Sequence, residues 1–71
     1  MKKYYLIFVN EFGQEGTQFY ETDDFKKVLS EIQNLQQILD KDKKEAGAHY
    51  IIYQREGRGI SDTVAFSAKE N

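Results

Sequence analysis

Six apolar residues, Phe25, Val28, Leu29, Ile32, Leu35 and Leu39, recur at helical spacing and form the single helical stripe of the chain. At ~100° per residue they fall within an arc about 120° wide, enough to cover one face of a sheet. Ile38 lies outside that arc and Lys43 would lie inside it, so the useful face ends near Leu39. Asp40 to Glu45 then reads as an overhanging last turn or a loop. Thr22-Asp23-Asp24 supplies the helix start, with Thr22 or Asp23 accepting from a free backbone N–H. Lys41, Lys43 and Lys44 suit the helix C-terminus, and Gly47 suits the position beyond the cap.

One helix needs a sheet to cover, and the flanking segments provide four strands. Lys3 to Val9 is rich in strand formers and too short for a second helix. Glu11 to Gly16 reads as a turn with two glycines, followed by a more polar strand from Thr17 to Glu21. After the helix, His49 to Arg55 is a third strand, Glu56-Gly57-Arg58-Gly59 a turn, and Ile60 to Ser67 a fourth strand ahead of a polar tail. The order is ββαββ, a single α+β domain spanning residues 1–71. A right-handed crossover over the first strand places strand three beside it. The expected architecture is a four-stranded antiparallel sheet of order 2-1-3-4 with one helix packed on one face. The most apolar strands are then central.

With 71 residues, no cysteine and one histidine, neither disulfides nor structural zinc can staple so small a core. Good packing or self-association must serve instead. The formal net charge is −2 with 31% charged residues, a solvated surface and no basic nucleic-acid footprint. The apolar run behind Met1-Lys2-Lys3 is six residues long. That is too short for a signal peptide or a membrane span, so the cytoplasm is the expected location and no membrane contact is expected.

Strand one breaks the usual alternation of a one-sided sheet. Tyr4, Leu6 and Phe8 point one way, and Tyr5, Ile7 and Val9 the other. Strand three repeats this with Tyr50 and Ile52 against Ile51 and Tyr53, and strand two adds Phe19 and Tyr20. In strand four, Val64 and Phe66 share a face, taken as the core side. The helix covers one face, so a contiguous apolar patch is expected on the other, larger than the roughly 300–600 Å² typical of a monomer. Such a patch points to an interface: a twofold homodimer, by open face or edge strand, or a larger protein partner. The partner-binding residues expected from this are Tyr5, Ile7, Val9, Tyr20, Tyr50, Ile52 and Arg58.

Chemistry-bearing motifs are sparse. A nuclease arrangement of His49, Arg55 and Glu56 rests on residue types alone, and a strand-end histidine is the simpler reading. Gly57-Arg58-Gly59 lacks the spacing of a phosphate loop and is explained by turn geometry. No catalytic, metal or cofactor-binding residue is assigned, and no cofactor is expected. Aromatics on an open sheet can stack single-stranded bases, but the charge balance opposes nucleic-acid binding. Glu21, Asp23, Asp24 and Glu31 form an acidic surface, read first as a helix start and a solvated face. In size and charge the chain is similar to small phage-encoded inhibitors of host defence nucleases, which implies an acidic decoy aimed at a nucleic-acid-processing complex. The leading expectation is a non-enzymatic protein-binding module, with that inhibitor and a single-strand binder as alternatives.

Overall fold

In the computed structural model, residues 2–41, 47–56 and 62–68 are described. Strands β1 (Lys2–Val9) and β2 (Tyr20–Thr22) precede helix α1 (Phe25–Lys41), and β3 (His49–Glu56) and β4 (Thr63–Ser67) follow it. The sheet order is β2-β1-β3-β4, antiparallel throughout, with the helix packed on it, as the hydrophobic pattern predicts. The Gly57-Arg58-Gly59 turn, Ile60 and the Lys43–Lys44 helix end lie outside the described residues.

The β1–β3 pairing is in full register from Lys2 opposite Glu56 to Val9 opposite His49. Opposed residues share a face, so the pairing decides what the sequence left open: Leu6 and Ile52 lie under the helix together. With Val28 and Ile32 they make a fully buried core, ringed by Tyr4, Tyr20, Phe25, Leu29, Leu35 and Tyr50. Tyr4 meets Phe25 at the start of the helix, with ring centroids 5.0 Å apart. Farther along, Gln36 Oε1 accepts a 3.0 Å bond from the Tyr50 backbone N–H, tying the helix to β3.

Three local features differ from the sequence reading. The helix is capped by Asp24, one residue later than expected: its Oδ1 accepts from the N–H groups of Lys26 and Lys27, while Thr22 Oγ1 accepts from Asp24 N–H. Strand β2 begins at Tyr20, not Thr17. Gly16 N–H still bonds to Phe8 O and Phe19 N–H to Leu6 O. Two residues, Thr17 and Gln18, lie between those bonds on this side against one, Ile7, on β1, so the segment carries one residue too many for the ladder. Finally, Val64 and Phe66 do not share a face. Val64 opposes Tyr53 while Phe66 opposes Ile52 across a register shift, which leaves Ala65 as the extra residue of a β-bulge. Phe66 therefore joins the helix side and Val64 the opposite side.

Candidate functional site

The face opposite the helix is closed by its own side chains. Tyr5 is only 4% exposed, and Ile7 and Val9 are likewise buried. Tyr5 and Tyr53 oppose each other across β1 and β3, and their rings stack at 5.9 Å. The Arg55 guanidinium lies 5.2 Å from the Tyr5 ring centroid, a cation–π contact. Its Nε and a terminal nitrogen bond to the two carboxylate oxygens of Asp62 at 2.8 and 3.3 Å. Asp62 is held below the ordinary aspartate range by that bonding, and Arg55 is pushed up by Asp62.

Tyr53 reaches from β3 across β1, where its hydroxyl donates a 2.6 Å bond to Glu15 Oε2 beyond the opposite edge. The bond to an anionic acceptor raises the phenol to about 12. Burial does the same for Tyr5, in direction. These rings and ions are a lid over Tyr5, Ile7 and Val9. Aromatic and charged groups at the rim fold inward over these three residues, covering apolar surface with their stems and rings, while Val64 on the same face stays exposed.

Of the expected partner-binding residues, Tyr5, Ile7 and Val9 do lie on the face away from the helix, but beneath this lid. Tyr20, Tyr50 and Ile52 lie on the helix side, where Ile52 is fully buried and the two tyrosines border the core. Alternation puts Tyr50 and Ile52 opposite Phe8 and Leu6, so they never share a face with Tyr5. Arg58 falls outside the described residues. Tyr5 and Tyr53, two of the aromatics considered for base stacking, stack on each other. His49 and Arg55 are six residues apart on one extended strand, about 20 Å, so the nuclease grouping is not assembled.

The acidic residues divide by task. Asp24 caps the helix, and Glu21 pairs with Lys3 at 3.7 Å. Asp23 is exposed and Glu31 half-buried. From Asn10 to Asp24 there are five acidic residues and no lysine or arginine. The hairpin and the β2 edge are thus the acidic side of the molecule.

At the tip of that side stands Phe12, 80% exposed. Its turn is tightly built. Asn10 Oδ1 accepts 2.9 Å bonds from the N–H groups of Phe12 and Gln14, an Asx-type turn, and Asn10 Nδ2 donates to Gln14 Oε1. Asn10 N–H bonds to Gln14 O and Gly13 N–H to Asn10 O. Gly13 takes φ +81°, a conformation that glycine adopts without strain. Phe19, 52% exposed, sits nearer the sheet with its ring edge against Tyr50.

A second exposed apolar feature lies at the other edge of the sheet. Val64 is 55% and Phe66 37% exposed on β4. Between β4 and the helix runs a groove of ≈ 510 Å³ lined by Ile32, Phe66 and Ala68, by Gln33, Gln36 and Gln37 of the helix, and by Asp40.

Sequence reasoning passed over Phe12, Glu15 and Asp62. For Phe12 a signal existed: a large aromatic occupies a glycine turn where polar residues ordinarily serve. Glu15 and Asp62 gave none, because their partners, Tyr53 and Arg55, meet them only in the fold.

Among the described residues, no group of three or more acidic, histidine or cysteine side chains is placed to hold a metal, and no helix is long and apolar enough to cross a membrane. No protein-family model matches the chain, and no curated protein or solved structure matches it significantly.

Proposed function

We propose that this chain is a non-enzymatic protein-binding module that docks an aromatic anchor, Phe12, into an apolar pocket with a basic rim on a larger partner. The observation that carries this reading is the rigid turn of Asn10–Gln14, which holds a phenylalanine in water at the tip of an acidic hairpin. Single exposed apolar residues are common and need no explanation. This one differs in being held by five hydrogen bonds within five residues. A pre-ordered loop loses little entropy on docking, and burying a phenylalanine returns roughly 1.5–3 kcal/mol. Glu11 and Glu15 beside it steer the tip toward positive surfaces.

A partner that is basic because it handles nucleic acid fits the same chemistry, and the acidic-decoy reading is that special case. The acidic run from Asn10 to Asp24 supports it, whereas the Lys3–Glu21 pair and the capping role of Asp24 draw two of its carboxylates into structural work.

The test is affinity capture with the wild-type chain and with Phe12→Ala, in low and high salt. The reading expects a partner held by the wild type, lost with the variant and weakened by salt. A partner retained equally by both overturns it.

A further inference from the structure

Resting on that reading of Phe12, we infer that the hairpin receives a basic amphipathic helix of its partner, with Phe19 as a second contact residue. Phe12 and Phe19 are the most exposed aromatic side chains among the described residues, at 80% and 52%. Both belong to residues 10–19, which turn at Asn10–Gln14 and return along the outer side of β1.

Phe19 is held in place as the tip is. Its N–H bonds to Leu6 O at 3.2 Å. Its ring meets Tyr50 edge-on with centroids 5.9 Å apart, and Tyr50 meets Phe8 in the same way at 5.3 Å. The Tyr50 backbone is in turn bonded to Gln36 of the helix. A ring packed on one side and open to water on the other is an ordered knob, so little freedom is lost when it docks.

Backbone, spacing and charge select the occupant. Strand β2 is three residues long and carries Glu21, and short, charged edges resist the addition of a strand. Contact therefore runs through side chains, and the occupant must satisfy its own backbone, as a helix does. Phe19 is level with Leu6, and the turn that holds Phe12 starts at Asn10. Along an extended strand those levels are roughly 13 Å apart, which is about two and a half turns of a helix. Two knobs at that distance fit two holes along one helix, each hole formed by four of its side chains. An apolar hole flanked by lysine or arginine is the basic-rimmed pocket that Phe12 requires. From Asn10 to Asp24 the chain has acidic side chains and no lysine or arginine, so basic flanks meet complementary charge along the whole contact.

The probe is a synthetic helix of about eighteen residues, some 27 Å long, with a leucine stripe and lysine flanks. It is titrated into the isotope-labelled full chain and followed by amide chemical shifts. Saturable shifts are expected from Glu11 to Glu21. A peptide with the stripe scrambled, and one with glutamate in place of lysine, should leave the spectrum unchanged. Phe12→Ala should weaken binding roughly tenfold or more and Phe19→Ala roughly fivefold, each with an unchanged circular dichroism spectrum. Phe19→Leu keeps an apolar knob and should bind close to the wild type. No binding of the helix, equal binding of the scrambled peptide, or full affinity in Phe19→Ala would each overturn the inference. Full affinity in Phe19→Ala with Phe12→Ala still weakened leaves the anchor reading standing, whereas full affinity in Phe12→Ala removes that reading as well.

Discussion

The Tyr53 hydroxyl donates a 2.6 Å hydrogen bond to Glu15, a residue 38 positions away in the chain. Through it a residue of β3 is tied over the top of β1 to the hairpin beyond. The bond closes the face that the helix leaves uncovered, and it anchors the base of the hairpin that carries Phe12. Stability of the lid and presentation of the anchor therefore share one contact.

This contact has a pH signature. The phenol is raised from 10.0 to about 12, so the folded state holds its proton more tightly than the unfolded state does. The associated stabilisation is complete below about pH 10 and is lost as pH climbs through 12. Ultraviolet titration of the phenols should show a late-ionising tyrosine that disappears in Tyr53→Phe. In Glu15→Gln it should move back toward 10, because the anionic acceptor is gone. A Tyr53→Phe chain that titrates like the wild type would contradict the assignment.

The core should respond as a closely packed layer. Leu6 and Ile52 face each other and are fully buried beneath Val28 and Ile32. Leu6→Ala or Ile52→Ala is expected to cost about 2–5 kcal/mol in urea unfolding. In so small a domain that approaches the whole stability. Val64→Ala, at an exposed position, should cost far less.

Much of this architecture was legible in the sequence. The stripe from Phe25 to Leu39, together with the crossover rule, is enough for the order 2-1-3-4, because one helix can return the chain in few ways. Strands one and three were ambiguous for a physical reason: Tyr5, Ile7 and Val9 are as apolar as Tyr4, Leu6 and Phe8, so alternation carries no information there. Register resolves it, and register is a property of two strands. The lid was hidden for the same reason, since Arg55 and Asp62, or Tyr53 and Glu15, show no pattern along the chain. The bulge at Ala65 has no sequence marker at all, yet it reverses the side on which Val64 lies.

The helix cap is open to direct measurement. Asp24 satisfies the N–H groups of Lys26 and Lys27, so Asp24→Ala should destabilise the fold by about 1 kcal/mol, and Asp24→Asn by less. Thr22→Ala removes the acceptor for Asp24 N–H and should cost a similar or smaller amount. Thermal denaturation at neutral pH reads both.

The turn at the hairpin tip makes a paired prediction. Gly13→Ala places a side chain at φ +81° and should destabilise by roughly 1 kcal/mol while loosening the tip. Asn10→Ala removes three of its side-chain bonds and should raise exchange rates at Phe12 and Gln14. Phe12→Ala touches neither the turn bonds nor the core, and its unfolding midpoint should match the wild type.

The proposed partner contact is made by the exposed tip and not by the sheet face away from the helix. The most direct measurement is the affinity of a captured partner for the wild type, for Phe12→Ala and for Tyr53→Phe, by titration calorimetry at two salt concentrations. The expected result is at least a tenfold loss for Phe12→Ala with its unfolding midpoint unchanged, a smaller loss for Tyr53→Phe, and weaker binding in high salt. Full affinity in Phe12→Ala would contradict it.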